Sequence, residues 1–316
     1  MNPVICKKEQ KKDKMFYIIS AAVPLTKVGM LLQVWAFTTY SFGKALFKHL
    51  EPEIFRRKKD VKDLRVLITG AGNGLGRQLA LCFAKKGSKL ILWDIDEDAL
   101  KKTASECKQF GCEEVKTARV DLALREQIYV AAEKVNYEYG GIDILVSNAG
   151  LLNGGYFMEL DDEKLDRIVD VNYKAHFWIV KSFFGGMLER NSGHIVSICS
   201  MASFAAAPRL VDYASTKHAL LGFMEGLQNE VKDLGKNGIK ITTVCPYWIN
   251  TNLIQHFGVK KSEMMSEEYV AARIMTAVCM NRNQIVLPGK MNLFVRFRWM
   301  LPRNLVQSLI LKKFVK

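Results

Sequence analysis

The sequence predicts an α/β fold, a doubly wound parallel sheet with helices on both faces, plus an N-terminal membrane anchor. Three observations carry this reading. Short apolar runs alternate with helically spaced segments between residues 65 and 244, a glycine-rich turn follows the first run, and an apolar stretch with basic flanks precedes them all. The chain has 316 residues, 49% hydrophobic and 25% charged, which is room for one large domain with terminal segments and a sizeable core. Three segments are expected: residues 1–62 as anchor and basic linker, 63–285 as the α/β domain, and 286–316 as a basic amphipathic tail.

The first element is the run MFYIISAAVPLTKVGMLLQVWAFTTYSFG, Met15 to Gly43, whose one charge is Lys27 and which contains Pro24. A spanning helix needs roughly 20 predominantly apolar residues. The run reaches that length only with the proline and lysine near its middle, so a hairpin or a tilted monotopic insertion stands beside a clean span. Lys7 to Lys14 before it and Arg56 to Lys59 after it make both flanks basic, and a hairpin with both ends cytoplasmic best satisfies the positive-inside rule. No compact A-x-A-like site follows, which argues against a cleaved signal peptide. The plain alternative is a core helix of the soluble domain.

The strands come next. Arg65 to Thr69 (RVLIT) is a short apolar run, and Lys89 to Trp93, Val115 to Val120, Ile142 to Val146, His194 to Ile198 and Ile239 to Val244 read as further strands, separated by helical spacing. Strands apolar on both faces imply a parallel sheet covered by helices, with ligands at its carboxyl edge. The first strand leads into Thr69-Gly70-Ala71-Gly72-Asn73-Gly74-Leu75-Gly76 and then a helix. Glycines there permit a tight turn, backbone approach to a pyrophosphate and close helix packing, so the unit reads as Rossmann-like. Gly70, Asn73, Gly74, Leu75 and Gly76 are the candidate phosphate loop. Asp94 ends the second strand, where an acid hydrogen-bonds a ribose 2′-hydroxyl and repels a 2′-phosphate. Asn73 and Ile95 supply no cation for such a phosphate, so NAD is expected over NADP.

The net charge of +14 admits nucleic acid or an anionic membrane surface as partner. Many basic residues sit at the two ends beside apolar stretches, whereas nucleic-acid binding requires them clustered on the folded domain. No nucleic-acid partner is expected. Seven scattered cysteines without a C-x-x-C pair argue against a disulfide framework, and the five histidines lack ligand spacing, so no metal is expected. The tail from Met291 to Lys316 mixes Phe, Trp and Leu with arginines and lysines, as interfacial segments do. A solvated basic tail or an oligomer contact is the alternative.

Tyr213 and Lys217 lie four residues apart, on one face if the segment is helical. A tyrosine titrates at about pH 10, and an ammonium beside it favours the phenolate, a usable base. Alone, such a pair is usually a plain helix-surface pair.

From about Asp63 to Thr251 the sequence resembles the short-chain dehydrogenase/reductase family. The resemblance is carried by TGAGNGLG at Thr69 to Gly76, Asp121 in VDLA, Ser147-Asn148-Ala149-Gly150, Asn172 in VNYKAHF, Ser200 in IVSICS, Tyr213 with Lys217, and Pro246 with Thr251. It implies that Tyr213 is the acid/base, and that Lys217 binds the nicotinamide ribose and lowers the tyrosine pKa. It further implies that Ser200 orients the substrate oxygen and that Asn172 holds a water in the proton relay. Asp121 would contact the adenine, Asn148 and Gly150 would shape the cofactor pocket, and Thr251 would touch the carboxamide. Ser147 and Tyr247 depart from the usual Asn and Gly.

LILWDIDEDALKKTA, KAHFWIVKSFFGGM and VCPYWINT resemble one branch, the epidermal retinol dehydrogenases and the 17β-hydroxysteroid dehydrogenases of lipid droplets. This implies NAD-dependent oxidation of a lipophilic alcohol, all-trans-retinol first, with a 17β-hydroxysteroid or another lipid alcohol as the alternative. A catalytically silent lipid-droplet protein is the reading from another class. The implied location is the endoplasmic reticulum membrane or a lipid droplet, with a cytosolic catalytic domain, and a homodimer stays open. Leu151 to Phe157, Met201 to Pro208 and Leu253 to Phe257 stand evenly between substrate lining and ordinary packing.

Overall fold

The computed structural model describes residues 27–50, 58–257 and 259–314. The chain divides into two compact units, Met1–Arg57 and Lys58–Lys316. In the first, α1 (Lys27–Leu50) is a helix whose Thr38 and Thr39 hydroxyls donate to the carbonyls of Val34 and Trp35, both at 2.6 Å. These bonds satisfy the hydroxyls within an apolar face that leaves Leu31, Val34 and Trp35 exposed. Among the described residues no helix is long and apolar enough to cross a membrane. Residues 15–26 of the expected anchor run lie outside the described residues, and α1 itself carries Lys27, Lys44 and Lys48.

The second unit follows the order β1 (Arg65–Thr69), α2 (Gly74–Ala84), β2 (Lys89–Asp94), α3 (Glu97–Gln109), β3 (Val115–Arg119), α4 (Arg125–Tyr139), β4 (Ile144–Ser147), α5 (Asp162–Val169), α6 (Ala175–Arg190), β5 (Gly193–Ile198), α7 (Val211–Asp233), β6 (Ile239–Pro246), α8 (Glu267–Cys279), β7 (Gln284–Leu287), α9 (Met291–Phe297) and α10 (Arg303–Phe314). A π-helical turn, Asp170–Lys174, joins α5 to α6. The seven strands form one sheet in the order β3-β2-β1-β4-β5-β6-β7, every pair parallel. β7 has no counterpart among the strands expected from the sequence, and it straddles residue 285, the limit drawn there for the α/β domain.

Alternation along each strand sorts the core into two layers. From β1 and β2, Val66, Ile68, Leu90 and Leu92 pack with Leu79 and Phe83 of α2, Leu100 of α3 and Ile274 of α8. Leu67, Ile91 and Trp93 face the other way, onto Ile128 of α4, Ile179 and Phe183 of α6, and Leu220 and Met224 of α7. Each fully buried side chain of this size contributes about 1.5–3 kcal/mol. Asp96 caps α3 by accepting the Ala99 N–H at 2.9 Å, and Ser266 caps α8 by accepting the Tyr269 N–H at 3.2 Å. The chain runs outward from β1 to β3 and returns to β4 beside β1, so the crevice at the carboxyl ends of β1 and β4 is where an open sheet binds ligands.

Candidate active site

That crevice is a cleft of about 690 Å³. Its first wall is the glycine turn after β1. Gly70 and Gly74 adopt left-handed φ of +64° and +55°. A Cβ on Gly76 would stand 1.8 Å from the Gly70 carbonyl oxygen, so only glycine lets α2 start this close to the turn. Asn73 caps α2 without a side-chain hydrogen bond, which leaves the first-turn N–H groups to the cleft. Asn148, after β4, braces the turn: its Nδ2 donates to the carbonyls of Thr69 at 3.0 Å and Gly70 at 3.2 Å.

Asp94 lines the cleft beside Ile95, and its Oδ2 accepts the Gly72 N–H at 2.8 Å. Asp121 also lines it, with Oδ1 accepting the Ala123 N–H at 3.0 Å and Oδ2 3.2 Å from Arg167. Arg167 is a cleft residue that sequence reasoning missed, because its pairing with Asp121 spans 46 positions. Thr251, on the loop after β6, places its Cγ2 3.5 Å from where a Gly74 Cβ would be, directly across the glycine turn. An open backbone cradle, unspent helix amides and an acid at the end of β2 together fit a nicotinamide dinucleotide.

At the cleft's centre, Ser200 follows β5, while Tyr213 and Lys217 occupy successive turns near the start of α7. Ser200 accepts the Ala202 N–H at 3.0 Å through Oγ and is hydrogen-bonded to the Tyr213 hydroxyl. The Lys217 ammonium lies 5.6 Å from the Tyr213 ring centroid and donates to the Ile198 carbonyl at 2.9 Å. Burial lowers the Lys217 pKa from its ordinary value. The same cause pushes Tyr213 up to about 12, outweighing the Ser200 hydrogen bond.

Asn172 sits apart from the cleft surface. It is fully buried on the π-helical turn, where Oδ1 accepts the Leu151 N–H at 2.7 Å and Nδ2 donates to the Leu151 carbonyl at 2.9 Å. It backs Gly150, where an added Cβ would meet Asn172 Oδ1 at 3.3 Å and Lys217 Nζ at 3.6 Å. Thr216 links the two elements by donating to the Tyr213 carbonyl at 2.8 Å and accepting from Asn172 Nδ2 at 3.3 Å. Thus Ser200, Tyr213, Lys217, Gly70, Asn73, Gly74, Leu75, Gly76, Asp94, Asp121, Asn148, Gly150 and Thr251 line one cleft, and Asn172 lies behind it. Leu151, Met201 and Leu253, from the three segments left open by the sequence, face into it as well. Met291, Phe294 and Ile310 close its far end from the C-terminal tail.

Comparison with known proteins bears on the family and the fold. Residues 64–261 match the family model described as short chain dehydrogenase. The chain is 36% identical over 268 residues to 17-beta-hydroxysteroid dehydrogenase 13 of Homo sapiens, covering 84% of this chain and 87% of that protein. A short chain dehydrogenase/reductase from Burkholderia phymatum, solved in complex with NAD, superposes with a TM-score of 0.70 at 25% identity, over 76% of this chain and 94% of that one. A short-chain dehydrogenase from Sphingobium yanoikuyae in complex with NADPH shares the fold, with a TM-score of 0.67 at 24% identity over 78% and 94% of the two chains.

Proposed function

Because the chain belongs to the short-chain dehydrogenase family and is an NAD(P)-type oxidoreductase, we propose that it oxidises a lipophilic alcohol with NAD. The observation that carries this is the Ser200–Tyr213–Lys217 group set at the edge of a cleft whose remaining wall is largely apolar. Gly70, Asn73, Gly74, Leu75 and Gly76 would hold the pyrophosphate, Asp94 the adenosine ribose, Asp121 the adenine, Asn148 and Gly150 the nicotinamide side, and Thr251 the carboxamide. When bound, the oxidised nicotinamide supplies the acceptor for the two electrons of the alcohol C–H bond and a positive charge beside the phenol. Ser200 Oγ donates to the alcohol oxygen and holds it against Tyr213 Oη, which takes the hydroxyl proton as the carbonyl forms. Lys217 holds the cofactor ribose and favours the phenolate. Asn172 fixes Leu151 and Gly150 behind that ammonium, and in this reading it also holds a relay water. Asp94 supports NAD over NADP through charge.

A 17β-hydroxysteroid fits the name of the human relative. All-trans-retinol is the second reading, favoured by the far wall of Met291, Phe294 and Ile310, which presents carbon to an apolar tail. The apolar run from Met15 and its basic flanks support placement on the endoplasmic reticulum membrane or a lipid droplet, with the catalytic unit cytosolic. A competition assay separates the substrates: the full chain in microsomes receives equimolar estradiol and all-trans-retinol with NAD, and products are quantified by chromatography. Excess estrone supports the steroid, excess retinal the retinoid, and neither product removes both.

A further inference from the structure

The helix that closes the cleft is apolar on both sides. Met291 and Phe294 of α9 line the cleft, while Leu293 and Phe297 on the same helix are 66% and 49% exposed, and Met300 just beyond is 77% exposed. An exposed apolar face on such a helix is at home only where something covers it. Its charge pattern says what covers it. From Pro288 to Lys316 the chain carries seven Lys and Arg residues and no Asp or Glu. Lys290 and Arg296 are exposed beside the outward leucine and phenylalanine. Aromatic and aliphatic side chains interleaved with cations alone suit an anionic lipid surface, where the apolar groups enter the acyl boundary and the cations meet phosphate.

We infer that α9 and the turn through Met300 dock on an anionic phospholipid surface and set the apolar end of the cleft against the lipid. A lipophilic alcohol then enters from the lipid without crossing water. This last step rests on the function proposed above; the docking itself does not.

Hydrogen–deuterium exchange of the full chain tests the docking, because it reads residues 291–300 separately from the N-terminal run. Exchange there is expected to slow severalfold on vesicles of equimolar phosphatidylcholine and phosphatidylserine, and little on phosphatidylcholine alone. Arg296→Glu should weaken that protection by about fivefold or more. Phe297→Asp should abolish it, while exchange across β1 and β5 stays at wild-type rates and so reports an intact fold. Equal exchange with and without anionic vesicles overturns the inference. So does protection that appears without lipid and grows with protein concentration, since that assigns the face to a second copy of the chain. Protection on anionic vesicles with no turnover of any alcohol keeps the docking and removes the proposed function.

Discussion

Asn172 satisfies both backbone polar groups of Leu151, accepting its N–H at 2.7 Å and donating to its carbonyl at 2.9 Å. The residue is fully buried. Asn172→Ala strands two polar groups, each costing about 1–3 kcal/mol, and is expected to lower the unfolding free energy by about 2–4 kcal/mol. Asn172→Asp keeps an acceptor for the Leu151 N–H and should fall between the two. Urea unfolding of the three proteins measures this; equal midpoints would remove the bracing role of Asn172.

Asp94 sets cofactor choice. Its carboxylate faces the cleft while Oδ2 holds the Gly72 N–H at 2.8 Å, a bond that an amide oxygen can also accept. Asp94→Asn therefore removes charge and keeps the turn. The ratio of kcat/KM for NADP over NAD should rise by about tenfold or more, the equivalent of about 1.4 kcal/mol of relieved repulsion and lost ribose bonding. An unchanged ratio would place selectivity elsewhere, with Arg167 a further charged candidate in the cleft.

The pKa of Tyr213, pushed up to about 12 by burial, gives a signed pH dependence. Oxidation needs the phenolate, so kcat/KM for the alcohol rises with pH through the neutral and mildly alkaline range. Reduction of the carbonyl needs the phenol and holds level there. Initial rates in both directions across this range decide the matter, and an oxidation rate independent of pH would contradict Tyr213 as the base.

His176 makes the fold acid-sensitive. It is fully buried on α6 with Nδ1 3.5 Å from the Ser197 hydroxyl, and burial, reinforced by the charge of Lys217, pushes its pKa down from 6.5 to about 3. The unfolded chain takes up the proton first as pH falls. The contribution of the neutral imidazole is therefore complete above pH 6.5 and is lost progressively toward pH 3. By pH 5 the loss amounts to about 2 kcal/mol. His176→Gln should flatten the fall in urea midpoint between pH 7 and pH 5; an equally steep fall would assign it to other groups, His194 first, whose pKa burial also lowers.

The parts legible in the sequence are those encoded locally. Strands β1, β2 and β4 announce themselves because both faces are buried and their centres are continuously apolar, while β5 and β6 keep buried apolar residues around Ser197, Lys240, Thr242 and Thr243. The glycine turn is legible because its strand and helix are its immediate neighbours. β7 is four residues, only three of them apolar, and its identity as a strand depends on pairing with β6. Arg167 and the far wall from Met291 to Ile310 reach the cleft through tertiary packing alone, which no local spacing encodes. The raised tyrosine pKa escaped for the same reason: the Tyr213–Lys217 spacing reveals a neighbouring charge and hides how much water both groups lose.

The central claim is that Tyr213 moves the alcohol's proton in an NAD-dependent oxidation. Its most direct test is NADH formation by microsomes carrying wild type or Tyr213→Phe, offered all-trans-retinol and estradiol separately, with NAD and with NADP. NAD-dependent turnover of either alcohol in the wild type, lost in the phenylalanine variant while NADH binding persists, is the predicted result. Turnover that survives Tyr213→Phe would contradict the assignment.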